Sequence, residues 1–295
     1  MGHEVHIVDV FAPSPSSRWQ GNPLAVVPDG GALSSDEMQA IAREMNLSET
    51  TFVVGTNDDG SHRVRIFTPS EEMPFAGHPT LGTAWLLRSL GTGSAEEVVL
   101  DLAVGPVPVT FAPGPVGELA WLTAPPVKLG PLAKPELVAE ALGLAPGDLD
   151  PAAPPRLVEG GPAFVFARVL RAEALEGSRL DASAFAPLAE QGFPCCVHVS
   201  CRETREAESD LDARMFFDAG GIREDPATGS ATAFLGAYLL EHGGFGEGSV
   251  AIRIEQGHAM QRTSHLHLRA EHGVKNDHIR VGGIVVAALC GELAR

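Results

Sequence analysis

The sequence predicts an α+β protein made of two similar domains. Many short strand patterns stand beside a few isolated helices, which is typical of α+β rather than of an alternating βαβ sheet. The chain has 295 residues, enough for two domains of ordinary size. A helical segment of the first half recurs half a chain length later, which indicates that the two domains share one design.

Strand patterns run through both halves of the chain. In the first half they lie at residues 3–11, 25–27, 50–54, 63–67, 98–102, 107–111 and 119–123. In the second half they lie near residues 163–170, 196–201, 213–217, 250–255, 265–270 and 279–289. The proline-dense residues 124–135 between these groups predict a passage between domains.

Helix signals are fewer and better defined. Ser34 and Glu37 form a capping box, which predicts a helix over residues 35–46. A second helix is predicted at about residues 136–142. The repeat supplies two more, because residues 76–91 align without gaps to residues 228–243. Both repeated segments are apolar or small on nearly every side, which is typical of core helices.

The repeated helices begin in similar contexts. Each follows a strand led by phenylalanine, Phe67 or Phe217, and a turn rich in Pro or Gly. Amide groups at a helix start lack intrahelical acceptors and attract anions, so two such starts could hold a carboxylate and a developing enolate. An ordinary start that binds nothing also fits, with Asp225 as N-cap and Pro226 at the first helical position.

Composition narrows the classes of partner and compartment. The chain has 38 acidic and 21 basic residues, a net charge of -17, and no basic run, which argues against nucleic acid and anionic membranes. It has no signal-peptide pattern and no apolar run long enough for a membrane span. Four cysteines form no disulfide framework. A soluble cytoplasmic protein is therefore expected.

Histidines in the second half raise the alternative of a metal-dependent enzyme. The cluster consists of His258, His265, His267, His272 and His278. No Cys or carboxylate stands at familiar ligand spacing from them, and an alternating polar strand face also explains the pattern. We therefore expect no metal, and we expect His265 and His267 to be partly exposed.

Short motifs spread over nearly the whole chain form a recognisable set. They are Val8–Phe11, Gly21–Val27, Leu47–Phe52, Phe67–Thr80, Glu224–Ala231, Ile254–Gly257 and Val281–Gly283. The most specific are Pro-Phe-Ala-Gly-His at residues 74–78 and Glu-Asp-Pro-Ala-Thr-Gly-Ser at residues 224–230. Together they resemble the phenazine-biosynthesis isomerase (PhzF-type) family, a branch of the diaminopimelate-epimerase fold.

The resemblance implies a fold and a domain division. Each domain is expected to be a mostly antiparallel, β-barrel-like sheet wrapped around its central helix. The first domain would hold residues 1–125 and, through a returning C-terminal strand, about residues 280–295; the second would hold about residues 126–279. Members of the family are commonly homodimers, and the active site would lie between the domains.

The resemblance also implies roles for individual residues. Glu49 matches the catalytic carboxylate, and His78 and Asp225 match residues that assist it. Without the resemblance, Glu49 is an acid between a helix and a strand, which is typical of a solvated loop residue. It becomes a candidate general base only together with His78 and Asp225. Further positions match the substrate-binding segments at the helix starts and near the site; they are Asn22, Gly77, Thr228, Gly229 and Ser230.

Some positions depart from the pattern of the family. Gln261 and Thr263 stand where Gly and Pro are usual, and Asp218 replaces a usual Pro. The resemblance therefore leaves the local loop shape and the substrate open, but not the catalytic set. Related two-thiol racemases carry a Cys at each helix-start turn. This chain has none at either turn, which excludes two-cysteine racemisation.

The sequence thus predicts an isomerase that needs no metal and no cofactor. It would relocate a proton on a small unsaturated carboxylic acid, with Glu49 as general acid and base. Secondary metabolism, phenazine biosynthesis included, is the setting that the resemblance implies. Two alternatives to this isomerase stay open. One is a catalytically silent homologue that binds small molecules, and the other is the metal-dependent enzyme that uses the histidine cluster at residues 258–278.

Overall fold

The computed structural model describes residues 2–93, 96–243, 245, 248–273 and 278–294. The chain divides into two compact units. Unit 1 consists of Met1–Thr123 and Gly282–Arg295, and unit 2 consists of Ala124–Val281. No described helix combines the length and the apolar character needed to cross a membrane.

Unit 1 contains eight strands before the final one, and two helices. The strands are β1 (His3–Ala12), β2 (Asn22–Val27), β3 (Thr50–Thr56), β4 (His62–Phe67), β5 (Glu72–Met73), β6 (Glu97–Leu102), β7 (Gly105–Pro113) and β8 (Glu118–Thr123). The helices are α1 (Ser35–Met45) and α2 (Gly77–Ser89). From Gly282 onward, the last strand β17 (His278–Leu293) also belongs to this unit.

Unit 2 repeats this plan with more helices. Its strands are β9 (Lys128–Leu132), β10 (Arg156–Glu159), β11 (Ala163–Val169), β12 (Cys196–Cys201), β13 (Leu211–Asp218), β14 (Ile222–Asp225), β15 (Ser249–Gln256) and β16 (Ser264–Glu271). Its helices are α3 (Pro135–Ala141), α4 (Ala172–Gly177), α5 (Ala182–Ala189) and α6 (Gly229–His242).

The strands of unit 1 close into a barrel. β1 pairs antiparallel with β2, β2 parallel with β3, β3 antiparallel with β4, and β4 parallel with β6. β6, β7 and β8 follow as antiparallel neighbours, and β17 joins β8 to β1. The central helix α2 contacts β1, β2, β3, β6, β7 and β8. Among the described residues, closure pairs each main strand with a neighbour on both sides and buries the apolar helix.

Close packing around α2 depends on small residues. A Cβ added to Gly82 would lie 2.7 Å from Leu24 and 2.9 Å from Val10, so glycine allows the helix to approach β1 and β2. The hydroxyls of Thr51 on β3 and Thr83 on α2 lie 2.8 Å apart and satisfy each other in the core.

Unit 2 follows the same order of pairings. β10 to β13 pair antiparallel, parallel and antiparallel in turn; β14 forms a hairpin with β13, and β15 pairs parallel with β13. α6 contacts β9, β10, β11, β15 and β16, and most of its residues are buried. The prediction of an α+β fold with two similar domains, each a sheet around a central helix, is confirmed.

An arginine–glutamate contact that occurs in both units shows which residues of one unit are equivalent to which residues of the other. Arg65 of unit 1 forms a two-pronged ion pair with Glu72 and lies 5.0 Å from the centre of the Phe67 ring. In unit 2, Arg214 pairs in the same way with Glu224 and lies over a phenylalanine ring at 4.7 Å. That ring belongs to Phe216, so Phe216 is the residue of unit 2 that is equivalent to Phe67, and Phe217 is the next residue on the same strand.

Other sequence expectations meet mixed outcomes. The capping box of Ser34 and Glu37 is present at the start of α1. α6 begins at Gly229, so Asp225 is not its N-cap, because Asp225 still pairs with Met215 in the sheet. Residues 124–135 are more than a passage, since β9 lies within them and pairs with β10.

Candidate active site

Three polar side chains converge at the start of α2 in unit 1. His78, on the first turn of the helix, presents Nε2 at 3.4 Å from Oε2 of Glu49. On its other side, Nδ1 lies 3.4 Å from Nδ2 of Asn22. The Asn22 and His78 residues are buried, and the Glu49 side chain keeps 16% of its surface exposed. The group therefore has a buried end at Asn22 and a solvent-accessible end at Glu49.

The arrangement of contacts assigns the ring protons of His78. An amide N–H of Asn22 donates to Nδ1, so the proton of a neutral ring is on Nε2, the nitrogen that lies 3.4 Å from Oε2 of Glu49. Burial lowers the pKa of His78 from 6.5 to about 3, so the ring is neutral at physiological pH. A neutral imidazole beside a carboxylate can orient the carboxylate and still allow the carboxylate to take up a proton.

Local backbone structure brings these three residues together. Gly21 has φ +78°, and a Cβ there would lie 2.4 Å from the Val10 carbonyl oxygen, so only glycine fits the turn before Asn22. Glu49 follows α1 and directly precedes β3, whose first residue pairs with Phe67. His78 follows Gly77 at the helix start. The first residue of β2, the residue before β3 and the first turn of α2 thus each supply one side chain.

The first turn of α2 has amide groups without side-chain caps. Ala76 is its N-cap and has no side chain that could accept a hydrogen bond. Gly77 and His78 are buried there, and the Thr80 hydroxyl donates back to the Ala76 carbonyl oxygen at 2.7 Å. A helix start without a capping acceptor can present its amides to an anionic ligand.

Asp225 organises the corresponding start of α6 in unit 2. Its Oδ2 accepts a hydrogen bond of 2.5 Å from the hydroxyl of Thr228, the N-cap residue of the helix. Asp225 is buried, with 8% of its surface exposed. Gly229 is buried and Ser230 is half-buried in the first turn. The Thr228 side chain makes no capping bond, so these amides too are available to a ligand.

The sequence did not assign roles to Gln256 and Gly257, which lock this turn. The fully buried Gln256 side chain donates to the Asp225 carbonyl oxygen at 2.8 Å and accepts from the Thr228 amide at 3.4 Å. Gly257 has φ +83°, and a Cβ there would lie 2.6 Å from the Pro226 carbonyl oxygen. Both residues belong to the motif Ile254–Gly257, which is part of the resemblance to the family but had no function assigned to it.

The candidate site residues of the two units lie at non-equivalent positions of the fold that the units share. By strand register, Glu49 corresponds to Cys196 and Asp225 corresponds to Met73. His78 and Ser230 occupy the same position of the two central helices. Each unit thus has a carboxylate or an imidazole where the other unit has a thiol, a thioether or a hydroxyl group. The structure groups Asn22, Glu49, Gly77 and His78 within unit 1, and Asp225, Thr228, Gly229 and Ser230 within unit 2.

The departures from the family pattern make local contacts. Gln261 has φ +57° and ends a short 3-10 turn, and the Thr263 hydroxyl lies 3.3 Å from Nδ1 of His258. Asp218 accepts the Gly221 amide at 2.8 Å, which closes the β13–β14 hairpin. Thr263 and Asp218 thus contact their own loops, whereas Gln261 adopts a left-handed conformation that glycine adopts more readily.

The histidine cluster does not assemble as one group. His265 is buried with 6% of its surface exposed and pairs with Glu206 at 3.0 Å, so the expectation of partial exposure is wrong for it; His267 is half-buried. Among the described residues, two groups of three possible metal ligands occur: Glu4, His6 and Cys290, and Asp212, Glu255 and His258. Neither includes Glu49, His78 or Asp225.

Comparison with known proteins identifies a family. The family model described as phenazine biosynthesis-like protein (PhzC-PhzF) matches residues 8–291. An uncharacterized isomerase of Mesorhizobium japonicum is 39% identical, with 97% of each chain covered. The trans-2,3-dihydro-3-hydroxyanthranilate isomerase of Pseudomonas aeruginosa is 35% identical over 91% of each chain.

Solved structures agree with this match. A Bacillus anthracis phenazine biosynthesis protein of the PhzF family superposes with a TM-score of 0.89 at 26% identity, over all of both chains. A probable proline racemase from Agrobacterium radiobacter superposes with a TM-score of 0.64 at 12% identity, over 99% of this chain and 93% of the other. The second likeness shows the epimerase-type fold alone.

Proposed function

This chain belongs to the phenazine biosynthesis-like (PhzC-PhzF) family, and from that premise we propose a cofactor-independent isomerase that relocates a proton on a small unsaturated carboxylic acid. Family and named relatives indicate an isomerase; the reaction and its residues are our proposal. The observation that carries it is the contact of Glu49 with a neutral, buried His78 that Asn22 orients.

Glu49 acts as the base and then as the acid. Its carboxylate removes a proton from a carbon next to the double bond, and the electron pair of that C–H bond shifts along the unsaturated system. The protonated Glu49 then delivers the same proton to the far carbon of that system, on the same face. No atom or electron is gained or lost, so the step requires neither a redox partner nor a second substrate.

His78 and Asn22 position this carboxylate. The Nε2–H of the neutral ring faces Oε2 of Glu49 and holds the carboxylate in one orientation, while Asn22 keeps the ring in the required tautomer. The solvent-accessible side of Glu49 then faces the substrate. A preorganised base in a partly desolvated site reacts without first rearranging its surroundings.

The helix starts supply electrostatic stabilisation. The start of α2 at Gly77 offers main-chain amides to the substrate carboxylate or to the negative charge that develops in the transition state. By the resemblance to the family, Gly229 and Ser230 at the start of α6 are also proposed to bind substrate. Donors of this kind are worth about 3–4 kcal/mol each in transition-state stabilisation. Asp225, which the Thr228 hydroxyl holds in place, assists the same turnover.

The named relatives suggest a first substrate. The compound to test is trans-2,3-dihydro-3-hydroxyanthranilate, which is a small unsaturated amino acid of the proposed class. We also propose that the protein works in the cytoplasm, as its composition indicates, and as a homodimer, as its resemblance to the family implies. Light scattering on the purified chain would give the mass of a dimer, and a monomer mass would contradict that part of the proposal.

The experiment is an isomerisation assay in D2O followed by proton NMR. The protein is first dialysed against a chelator, so that turnover tests the independence from metals directly. We expect the double-bond signals of the substrate to be replaced by those of one isomer, at equal rates before and after dialysis. Binding without conversion would instead indicate the silent homologue, and loss of activity restored by zinc would indicate a metal-dependent enzyme.

A further inference from the structure

A second group of chemically reactive side chains lies in unit 1, on the ribbon formed by β1 and β17. It consists of Glu4, His6 and Cys290, whose ligand atoms all lie within 4.8 Å of one another. His6 pairs with Cys290 across the ribbon, and Glu4 is two residues before His6, so the three share one face. Carboxylate, imidazole and thiolate are the ligand types that bind zinc.

The distances suit a small tetrahedral cation. Oε1 of Glu4 lies 2.8 Å from Nε2 of His6 and 3.5 Å from Sγ of Cys290. Metal bonds of about 2.0–2.3 Å in a tetrahedron separate ligand atoms by about 3.3–3.8 Å. The exposed Glu4 side chain therefore has to move by less than about one ångström to admit the ion between the three ligands.

The negative charge around this group also favours a bound cation. Glu292 stands directly opposite Glu4 in the register, and like charges in that position destabilise a strand pair. The Gly2 amide donates to Glu292 at 2.9 Å, but across the described part of the chain neither carboxylate has an Arg or Lys ion partner. A bound divalent ion would offset this repulsion and replace the thiol proton of Cys290.

The other group of three possible ligands differs in this respect. Asp212 lies 3.5 Å from the Arg205 guanidinium, and the Arg205 and Glu206 amides donate to Glu255 at 2.5 and 3.2 Å. Its charges are compensated by protein groups, and it includes no thiol. The ribbon group is the one that lacks such compensation.

We propose that Glu4, His6 and Cys290 form a binding site for a zinc-type divalent cation, separate from the proposed catalytic group. The site leaves a fourth position open to water or to an external ligand. Along β1, His6 precedes Val10, the strand partner of Asn22, by four residues or about 13 Å. The ion therefore stabilises the ribbon of unit 1 and takes no part in the chemistry of Glu49.

Cobalt(II) is the probe for this site because a cobalt–thiolate bond absorbs in the near ultraviolet. The chelator-treated full-length protein is titrated with Co²⁺ alone and then with Zn²⁺. We expect one cobalt per chain with a thiolate charge-transfer band that zinc abolishes. The Cys290→Ser variant should lack the band, and Glu4→Gln should bind cobalt at least about tenfold more weakly.

The matched control is Cys195→Ser, which removes a thiol of unit 2 and should keep the band unchanged. Glu4 and Cys290 are exposed, so their variants should fold, and far-ultraviolet circular dichroism checks this. The wild-type chain without a thiolate band, or Cys290→Ser with wild-type cobalt affinity, would overturn the proposal. Isomerisation by Cys290→Ser should equal that of the wild type, so the two proposals fail independently.

Discussion

Asn22 determines which nitrogen of the His78 ring carries the proton. Its amide contacts Nδ1 at 3.4 Å, which leaves the Nε2 proton for Glu49. Without that contact the neutral ring can take either tautomer, and one of the two presents a lone pair to the carboxylate. A residue that touches neither the reacting atoms nor bulk water thereby controls the orientation of the base.

Asn22→Ala should lower kcat by about tenfold, which matches the loss of one hydrogen bond of about 1–1.5 kcal/mol in the transition state. KM should change less, because substrate binding relies on the helix starts. The matched control is Asn57→Ala in the same unit, which loses surface hydrogen bonds to Ser61 and Asp101. Equal kcat values for both variants and the wild type would contradict the positioning role.

The turns that precede the central helices α2 and α6 keep the candidate site residues in position. Gly257→Ala should lower the free energy of unfolding by about 2–4 kcal/mol, since the new Cβ would meet the Arg262 and Pro226 carbonyl oxygens and the residue would keep a positive φ. Gly220→Ala is the control, because Gly220 has φ +71° with nothing within 4 Å of an added Cβ. It should cost about 1 kcal/mol.

Urea unfolding of both glycine variants gives the comparison. If Gly257→Ala is no less stable than Gly220→Ala, the close approach of the turn to Pro226 is not a constraint. A stable Gly257→Ala variant with low kcat would instead mean that the turn moved together with Asp225.

The repeated Arg–Glu pair shows how burial changes the value of one contact. Arg214 is buried and also donates to the carbonyl oxygens of Leu175, Glu176 and Ser178, whereas the Arg65 pair is largely exposed. Arg214→Ala should therefore destabilise the protein by about 3–5 kcal/mol. Arg65→Ala should cost about 1 kcal/mol or less.

Thermal or urea unfolding measures both variants under identical conditions. The two arginines occupy equivalent positions in the two units, so each serves as the control for the other. Equal destabilisation would mean that the carbonyl contacts of Arg214 contribute nothing beyond its ion pair.

At the scale of the whole molecule, buried histidines link stability to pH. Burial holds the pKa of His78 at about 3 and that of His198 at about 4, against 6.5 in an unfolded chain. Between these values the unfolded state binds more protons, so the stabilisation is complete above pH 6.5 and is lost as the pH falls. At pH 5 the loss should be about 2 kcal/mol for each of the two residues.

Urea unfolding at pH 7.5 and at pH 5 checks this expectation. The sign is the informative part, because carboxylates with lowered pKa values lose their contribution at still lower pH. An unfolding free energy that stays constant or increases between pH 7.5 and pH 5 would contradict the burial of neutral imidazoles.

Much of this architecture could be predicted from the sequence, because its signals are local. The capping box of Ser34 marked α1, and the apolar repeat marked α2 and α6. The prediction failed where sheet pairing overrides local chemistry. Asp225 and Pro226 have the pattern of a helix start, but the pairing of Asp225 with Met215 delays the helix to Gly229. Strand β9 was missed because it lies in the proline-dense residues 124–135, whose composition resembles a linker.

The candidate site was less accessible to prediction than the fold. The proposed role of Glu49 depends on its contact with His78, which lies 29 residues later in the sequence. No local sequence pattern predicts such a contact. The resemblance supplied the identities of Glu49, His78 and Asp225, and these assignments stay predictions. Gln256 and Gly257 were present in a quoted motif, but their role in fixing the Asp225 turn depends on the pairing of β13 with β15.

The proposed function depends on transfer of the proton by the Glu49 carboxylate, and kcat of the Glu49→Gln variant measures that transfer. Glu44→Gln, which changes an exposed carboxylate on α1, is the matched control. We expect Glu49→Gln to fold and bind substrate as before while kcat falls by about 10²–10⁴-fold, and Glu44→Gln to keep wild-type kcat. A Glu49→Gln variant with kcat within a factor of about three of the wild type would show that Glu49 is not the base.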